Sequence, residues 1–398
     1  MKKQHVAIEI SHSFIKILIG SVNNGQVVVH YVKKVPANHL LENGIVKDKM
    51  TLSALLSKLN PIVDEDYHIN QLLDDVVILL PPYGLEIFHT SQNVPVISAE
   101  KTIGNLDIMN IYSIVRNMKL PVDNDFVNII IDSYKLDNGN RYVGAPLGKQ
   151  SSSISFEVNV YTLPKKIAYD YSSAVIASGI KISSPVVSSF AASEFLKTDP
   201  NIGENFFLID IGSSSTSVSF LANKTLLATR SFSWGGENIT TRMMEFFNIN
   251  EKEAEKIKIL YGYDERKMEF SFPIITKDFE EGKKEYFRED VNNLIANELD
   301  KFITLLAATI EQLSAIYKIP SEMNIPFVIS GGGSKLNGLI NYLKGKLNKE
   351  DISQYTPKVI GARDPSLLSL LGSIMVKEKY LDNLDNTHTS ANLVTRDE

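Results

Sequence analysis

The feature that most constrains this chain is an order of elements that occurs twice. Residues 5–82 contain three alternating apolar runs, a short helix-like stretch and a buried strand that ends at two prolines. The same order returns after Gly203, with three apolar runs, the helix-like residues 237–248 and the strand-like residues 325–330. Apolar residues at alternate positions between turn residues predict antiparallel strands. The chain is therefore predicted to be an α/β protein built from a duplicated βββαβ unit.

Two segments interrupt the duplication. Residues 85–163 combine a helical stretch with two long strands and a polar loop, which predicts a small α+β domain inserted into the first unit. Residues 251–319 begin with alternating charges and end in a long amphipathic helix. Because insertions join their host at nearby surface points, we expect the main core to be independent of the first insertion.

The end of the chain has two parts. The stretch from Pro365 to Leu381 is apolar nearly all round, which favours a core helix of the second unit. The final twenty residues are polar and aperiodic, which is typical of a disordered tail. The predicted domains are a first lobe (1–84 and 164–200), an inserted interaction domain (85–163), a second lobe (201–250 and 320–378), a further subdomain (251–319) and the tail (379–398).

Composition excludes several functions. The net charge of −6 over 398 residues argues against electrostatic binding of nucleic acid or of an anionic membrane by the whole surface. The chain has no cysteine, so disulfides and thiol catalysis are excluded, and a cytoplasmic location is expected. Polar residues break the first apolar run early, and the apolar run 366–376 is shorter than the roughly 18 residues of a spanning helix. We therefore expect neither a signal peptide nor direct membrane insertion.

The clearest chemical signal is the stretch DIGSSSTS, which lies between two predicted strands. Successive backbone N–H groups and hydroxyls in such a turn can surround a phosphate, and glycine permits its close approach. A carboxylate at the strand end can hold Mg²⁺ through water. The alternative is an ordinary Gly/Ser hairpin. The candidate phosphate-binding residues are Asp210, Gly212, Ser213, Ser214, Ser215 and Thr216, with Asp210 also the candidate metal ligand.

Three further elements favour a nucleotide site. The equivalent hairpin of the first unit carries Ser11 and Ser13, so two phosphate loops are expected to face each other across a cleft. The glycine run 331–333, between a buried strand and a helix, offers flat backbone for a purine. Glu255 and Lys258 lie three residues apart on one helix face, where they either reach a ribose or base or form a solvated charged surface.

These elements in this order resemble the actin superfamily, and more closely the bacterial cell-division FtsA family, from about Val6 to Val376. SWGGENIT is similar to the family's segment after the second phosphate loop, AEKIKILYG to its nucleoside-contacting helix, ISGGGSKLNG to its adenosine motif and ARDPSLLSLLG to its last core helix. FtsA and its relative PilM carry an extra small domain at the place of residues 85–163. The resemblance implies an actin-like two-lobed fold of duplicated ribonuclease-H-like units that binds ATP and Mg²⁺.

The resemblance also completes the candidate site and marks where this chain departs from the family. The first tip has Ser11 and Phe14 where the family pattern has Gly and Lys, so Lys16 is the expected substitute cation, and His12 is interpreted as a surface residue of the loop. Apart from the second loop, the candidate nucleotide-binding residues are Ser11, Ser13, Lys16, Gly236, Glu255, Lys258, Gly331, Gly332, Gly333 and Lys335.

Two more departures concern activity and partners. Ser184 stands before Pro185, where active relatives such as the chaperone ATPases have Glu, so hydrolysis of ATP is expected to be weak or absent. The FtsA helix that contacts the FtsZ tail typically has Arg followed three residues later by Glu, whereas this chain has Glu298 and Lys301.

The resemblance implies an FtsA-like cell-division adaptor that binds ATP, self-associates into filaments or dimers and links FtsZ or an equivalent division protein to the septum. Such a protein would be cytoplasmic and peripheral at the division site on the inner face of the membrane. One alternative is a PilM-like scaffold of a pilus or secretion assembly. The other is a phosphotransferase of the same superfamily, because fold alone does not decide function.

Overall fold

A computed structural model describes residues 3–37, 40–42, 44–266, 272–279, 282–320 and 322–381 of the chain. The first part of the chain forms the first lobe. Its elements are β1 (His5–Ile10), β2 (Phe14–Asn23), β3 (Gln26–Pro36), β4 (Leu41–Glu42), β5 (Ile45–Val46), α1 (Lys49–Ser57), β6 (Ile62–Asp64), β7 (Ile69–Gln71) and β8 (Val76–Leu80).

An α+β unit follows β8 and returns the chain to the first lobe. Its elements are β9 (Glu86–Pro95), α2 (Asn105–Arg116), β10 (Asn124–Leu136), β11 (Arg141–Tyr142) and β12 (Ser153–Pro164). The four strands form one sheet in the order β11-β10-β12-β9. The first lobe is then completed by α3 (Lys165–Ala177), β13 (Ile182–Val187) and α4 (Ser188–Leu196).

The second half of the chain begins with three antiparallel strands and a helix, which are β14 (Phe206–Ile211), β15 (Thr216–Ala222), β16 (Thr225–Phe232) and α5 (Gly236–Phe247). A subdomain follows, made of α6 (Glu251–Tyr261), β17 (Ile275–Phe279), β18 (Gly282–Tyr286) and α7 (Arg288–Tyr317). The last elements are β19 (Phe327–Ser330), a 3-10 helix (Gly332–Lys335), α8 (Leu339–Leu347), β20 (Ile352–Gln354), a second 3-10 helix (Pro365–Leu367), α9 (Leu368–Val376) and a π-helical turn (Lys377–Leu381).

The two lobes contain the same five-stranded sheet. Their strand orders are β3-β2-β1-β8-β13 and β16-β15-β14-β19-β20. In the first sheet β1 is antiparallel to β2 and parallel to β8, and in the second sheet β14 is antiparallel to β15 and parallel to β19. The parallel pairs are possible because crossover connections that contain helices join β3 to β8 and β16 to β19. The duplicated α/β architecture predicted from the sequence is therefore confirmed.

The last helix corrects the sequence prediction, which placed it in the second lobe. Leu370, Leu371 and Ile374 of α9 are buried in the first-lobe core, together with residues of β1, β2 and β8. A Cβ at Gly372 would lie 1.8 Å from the carbonyl oxygen of Ala191 in α4. The helix therefore crosses α4 at very close range and carries the end of the chain back to the first lobe.

The expectation that the main core is independent of the insertion is also wrong. Val127, Tyr161 and Leu163 of the inserted unit are buried in the first-lobe core, not in the core of their own sheet. The buried side chain of Asn128 donates a hydrogen bond to the Pro185 carbonyl of β13 at 2.9 Å. The long strands β10 and β12 thus serve both units, because their ends extend from one core into the other.

The segment predicted as a tail is folded at its beginning. The π-helical turn continues to Leu381, which is buried, and the Tyr380 hydroxyl donates to Glu194 at 2.9 Å. The remaining tail residues, 382–398, lie outside the described residues. Within the described parts of the chain, none of the helices combines the length and the hydropathy that a membrane span requires.

Candidate functional site

The tips of two hairpins, one from each lobe, meet in a cleft. In the first lobe the Ser11 N–H donates to the Phe14 carbonyl at 2.9 Å, and in the second the Gly212 N–H donates to the Ser215 carbonyl at 2.8 Å. The two turns are therefore equivalent. The hydroxyl of Ser13 donates across the cleft to the hydroxyl of Ser213 at 2.6 Å. The facing loops predicted from the sequence are thus in direct contact.

Main-chain hydrogen bonds hold the second tip against the start of α5. The N–H of Gly236 donates to the Gly212 carbonyl at 3.1 Å, and the N–H of Glu237 donates to the Ser213 carbonyl at 2.8 Å. A Cβ at Gly235 would lie 2.3 Å from the Ser213 oxygen, so this approach requires glycine. The loop geometry is consequently fixed by backbone atoms rather than by side chains.

Thr216 does not belong to the site, which corrects its assignment as a phosphate-binding residue. Its side chain is fully buried, and its hydroxyl donates to the Trp234 carbonyl at 2.8 Å. It is the first residue of β15, where the side chains alternate between the two faces of the sheet. Thr216 therefore stabilises the loop from behind.

Two carboxylates and one lysine form the floor of the cleft. Glu9 and Asp210 occupy equivalent positions in β1 and β14, next to the last residue of each strand. The ammonium of Lys16 lies 3.2 Å from Glu9 and donates to the Ser366 carbonyl at 2.9 Å. Burial and the nearby charge of Glu9 raise the pKa of Asp210 to about 6, although Lys16 opposes the shift. A divalent cation on Asp210 would relieve this repulsion.

Glu9 is a residue that the sequence interpretation missed as part of the site. One of its carboxylate oxygens, Oε2, is buried without a hydrogen-bond partner. The signal was present, because aligning HVAIEI with FFLIDI places Glu9 opposite Asp210. An unpartnered acceptor in the floor of the cleft suits a bound cation or its water.

The glycine run closes the cleft on the second-lobe side. Gly331 has φ +86°, and a Cβ there would lie 2.2 Å from Asp210 Oδ1 and 2.3 Å from the Ile211 carbonyl. A Cβ at Gly333 would lie 2.4 Å from the Ile211 side chain, whereas at Gly332 the nearest atom is 3.9 Å away. Gly331 and Gly333 are thus required by packing, while Gly332 presents open backbone to the cleft.

The pair on α6 is part of the cleft and not a solvated charged surface. A capping box at Asn250 and Glu253 begins the helix. Lys258 lies 2.6 Å from Glu255 and donates to the Gly236 carbonyl at 3.0 Å. The hydroxyl of Thr240 donates to Glu255 at 2.7 Å. These contacts hold α6 against the start of α5.

A cluster at the rim of the cleft was not foreseen from the sequence, apart from Lys335. Asp364 lies 2.6 Å from Lys34 of β3 and 3.2 Å from Lys335. Burial alone would raise the pKa of Asp364, but hydrogen bonds from Lys34 and Ser366 outweigh it and hold that pKa well below its usual range. The cluster connects the two lobes, because Lys34 lies on β3 of the first-lobe sheet and Lys335 lies in the 3-10 helix that follows β19 of the second-lobe sheet.

The interpretation of His12 as a surface residue is wrong. Its side chain is 13 % exposed, and Nε2 lies 2.8 Å from the Glu237 carboxylate of α5. Its other ring nitrogen, Nδ1, lies 2.6 Å from the Leu41 carbonyl. The residue therefore contacts both lobes at the first tip.

The cleft encloses about 910 Å³. Apart from Thr216, it brings together the residues predicted from the sequence. These are Ser11, Ser13, Lys16, Asp210, Gly212, Ser213, Ser214, Ser215, Gly236, Glu255, Lys258, Gly331, Gly332, Gly333 and Lys335.

Ser184 lies outside the lining of the cleft. Its hydroxyl donates to the Ser183 carbonyl at 2.7 Å, within β13. The residue of this segment that lines the cleft is Ser188, the first residue of α4. The carboxyl end of β13, not its middle, reaches the cleft, which corrects the interpretation of Ser184 as a residue of the site.

The described residues do not contain a preformed metal centre. No group of three or more His, Asp or Glu side chains suited to a metal ion occurs in the described ranges. Asp210 and Glu9 place two carboxylates at the floor of the cleft. A cation bound there would therefore need further ligands from water or from a bound anion.

Comparison with solved structures identifies the fold. A chain of a PilM–PilN type IV pilus biogenesis complex aligns with a TM-score of 0.60 and 16% identity, covering 94% of this chain and 98% of that one. MreB5 of Spiroplasma citri bound to AMPPNP aligns with a TM-score of 0.52 and 13% identity, over 97% of this chain and 99% of that one. The chain therefore has the two-lobed actin-like fold of these structures, with a cleft between the lobes.

Comparison of sequences narrows the class. The FtsA family profile, described as "Cell division protein FtsA", matches residues 207–372. FtsA of Enterococcus faecalis is 24% identical over 378 residues, which cover 93% of this chain and 82% of the relative. FtsA of Bacillus subtilis is 23% identical over 375 residues, with the same coverage. Over most of its length the chain is therefore similar in sequence to FtsA proteins of cell division.

Proposed function

We propose that this chain is a cell-division adaptor that binds ATP and Mg²⁺ in the cleft and uses the bound state to control its assembly. The observation that carries the proposal is the contact between Ser13 and Ser213, which brings two equivalent hairpin tips from two lobes to one point. Such paired tips supply N–H and hydroxyl donors from both sides to a chain of phosphates. MreB5, which has the same fold, is described with AMPPNP and with ADP.

The residues of the cleft fit this ligand. Ser11, Ser13 and the second loop would hold the phosphates, and Asp210 would hold Mg²⁺ through water. Gly332 offers backbone without a side chain in its path, and Ile259 and Leu336 add apolar surface for a purine. When bound, Mg²⁺ would neutralise phosphate charge above the acidic floor.

We expect hydrolysis to be at least roughly tenfold slower than in chaperone-type relatives, the size of effect that removal of a general base produces. The segment that reaches the cleft from β13 presents Ser188, which has no carboxylate to orient water. A phosphate-release assay in the steady state tests this. Turnover equal to that of an active chaperone ATPase would contradict it.

Calorimetry with a slowly hydrolysed ATP analogue, with and without Mg²⁺, tests nucleotide binding. Asp210→Ala is expected to weaken Mg²⁺-dependent binding while leaving the circular dichroism spectrum unchanged. Asp66→Ala is the matched control, because Asp66 is exposed and lies outside the cleft lining. If the native chain binds no analogue at any accessible concentration, the proposal is wrong.

The proposed partners are further copies of the chain and the C-terminal tail of FtsZ or an equivalent division protein, at the inner face of the membrane. Glu298 is buried and lies 2.6 Å from Lys301 on α7, so a partner peptide would meet mainly the lysine of this pair. Binding of a labelled FtsZ tail peptide, compared between the native chain and Lys301→Ala, tests this contact. Pelleting with anionic liposomes, with and without FtsZ, tests recruitment by a partner.

The inserted unit is proposed to mediate assembly. Because its strands contribute to the first-lobe core, deletion of residues 85–163 is a poor test, and exposed residues are better targets. Leu106 on α2 is 68% exposed, and Leu106→Ser is expected to reduce polymerisation without lowering thermal stability. An unchanged sedimentation profile would remove this surface from the assembly contact.

One observation favours a second function. The chain of the PilM–PilN type IV pilus biogenesis complex has a larger TM-score than the MreB5 structure described above. A PilM-like scaffold would bind a short peptide of a pilus partner instead of a division protein. Parallel binding assays with the two kinds of peptide distinguish these functions.

A further inference from the structure

His12 is placed where it contacts both halves of the cleft. It lies in the first tip, next to Ser13, which donates to Ser213 of the second tip. Its Nδ1 is 2.6 Å from the Leu41 carbonyl of its own lobe, and its Nε2 is 2.8 Å from the Glu237 carboxylate of the other lobe. The ring is thus oriented by one lobe and directed at the other.

The two partners of the ring are both hydrogen-bond acceptors when Glu237 is ionised. The Leu41 carbonyl only accepts, so Nδ1 is the donor of that contact. When Nε2 also carries a proton, it donates to the Glu237 carboxylate, and this contact is then a charge-assisted hydrogen bond.

The surrounding charges suit a cation at this point. Glu237 from α5 and Glu42 from β4 act on His12, and Glu42 is itself paired with Lys47 at 2.9 Å. On the α6 side, Lys258 binds the Gly236 carbonyl, one residue before Glu237. Glu237 is in the first turn of α5, where the helix dipole also favours a bound anion.

We propose that His12 is a phosphate ligand of the first lobe and that the Glu237 carboxylate occupies its Nε2 until a phosphate binds. In the free protein the His12–Glu237 contact bridges the lobes. A phosphate entering between the tips replaces the Glu237 carboxylate at Nε2, while the Leu41 carbonyl keeps the ring in place. The cation thereby supplies the charge that the first tip lacks beside Ser13, since Lys16 is occupied by Glu9 and Ser366. The phosphate step rests on the proposed function, whereas the bridge does not.

The phosphate step is tested by calorimetry with ATP analogue and with inorganic tripolyphosphate at pH 6 and pH 8. His12→Gln keeps a hydrogen-bond donor without the charge, and we expect it to weaken binding about tenfold at pH 6, as charge-assisted hydrogen bonds predict. Glu237→Gln removes the competitor, so we expect it to bind severalfold more tightly than the native chain. Asp210 is present in all three proteins, so the differences between their affinities report on His12 and Glu237.

The bridge is tested in the absence of nucleotide. The chain has no cysteine, so Met50→Cys on α1 and Lys252→Cys on α6 accept one spin label in each half. Both positions are exposed. Relative to the native background, we expect the label distance to lengthen or broaden in His12→Gln and in Glu237→Gln, because each change removes the charge from one side of the bridge between the lobes.

The outcomes separate the two ideas. If Glu237→Gln and His12→Gln both weaken anion binding equally, the residues have a merely structural role and the proposal is wrong. If the native chain binds neither anion, the proposed function and the phosphate step are both wrong. The label distance then decides the bridge alone, and a distance that is unchanged in both variants overturns it.

Discussion

The two hairpin tips share one backbone turn but are held in place by different means. The second tip is tied to α5 by main-chain hydrogen bonds and enclosed by glycines at which a Cβ would collide with the loop. The first tip is tied by side chains, through Ser13 to Ser213 and through His12 to Leu41 and Glu237. Backbone contacts constrain the sequence strongly, whereas side-chain contacts allow substitution. This explains why the second tip retains its glycine and the first does not.

The two lobes also differ in which parts of the chain build them, because α9 belongs to the first-lobe core although it follows the second lobe in the chain. Gly372→Ala is expected to have the largest effect of the changes considered. Its Cβ would lie 1.8 Å from the Ala191 carbonyl, and overpacking against backbone costs about 3 kcal/mol or more. Chemical denaturation followed by circular dichroism measures the loss.

A control and a second probe sharpen this test. Gly345→Ala on α8 has no heavy atom within 4 Å of the new Cβ and is expected to stabilise its helix by roughly 0.5–1 kcal/mol. Trp234, the single tryptophan, stacks on Phe302 in the second lobe and reports on that lobe. For Gly372→Ala, a larger shift in Trp234 fluorescence than in circular dichroism would place α9 with the second lobe after all.

The position of α9 could not have been predicted from its sequence. A helix that is apolar on nearly all sides is recognisably buried, but this pattern carries no information about which of two cores buries it. The sheets were different, since alternation and turn residues repeat in both halves and predict three antiparallel strands in each. Strand β9 was missed because its exposed residues, such as Glu86 and Gln92, give it little apolar alternation.

The second largest effect is expected at the backbone-defined tip. Gly331→Ala would place a Cβ 2.2 Å from Asp210 Oδ1 at a positive φ, so we expect a loss of about 2–4 kcal/mol and no nucleotide binding. Thermal unfolding monitored by Trp234 fluorescence measures the first effect. Gly332→Ala, with its nearest atom 3.9 Å away, is the control and is expected to shift the midpoint little. Equal shifts for the two variants would mean that packing does not define this tip.

The third prediction uses the floor shared by the two tips. The folded protein raises the pKa of Asp210 to about 6, so between pH 4 and pH 6 the folded state binds more protons than the unfolded state. The contribution of the Asp210 carboxyl to the free energy of unfolding is therefore most favourable at low pH and is lost as the pH rises through about 6. Asp210→Asn should stabilise the metal-free protein at pH 7 by roughly 1–3 kcal/mol, while it weakens Mg²⁺-dependent nucleotide binding.

Denaturation at pH 4 and pH 7, with a chelator present, checks the sign of this effect. The advantage of Asp210→Asn should shrink at pH 4, where the native carboxyl is largely protonated in the folded state. If Asp210→Asn stabilises the protein equally at the two pH values, ionisation of Asp210 does not destabilise the folded protein.

Most of the site was predictable because its residues follow strands in a repeated order. The exceptions are contacts between residues that lie far apart in the sequence. Lys34 and Asp364 are 330 positions apart, and His12 meets Glu237 only because the lobes close on each other. Thr216 was misassigned for a different reason, since a hydroxyl at the end of a loop looks the same whether it points into the cleft or into the core.

That misassignment gives the smallest and sharpest prediction, which compares two hydroxyls of one loop. Thr216→Val keeps the shape but leaves the Trp234 carbonyl without its donor, so we expect a stability loss of about 1–2 kcal/mol and unchanged nucleotide affinity. Ser213→Ala removes a hydroxyl that faces the cleft and Ser13, so we expect unchanged stability and an affinity loss of about threefold to tenfold. Unfolding midpoints and calorimetry on both variants give four values. One hydroxyl supports the backbone and the other faces the ligand. Thr216→Val should therefore lower only the unfolding midpoint, and Ser213→Ala should lower only the nucleotide affinity. A shared pattern would mean that the second tip is not held by its backbone independently of the side chains that line it.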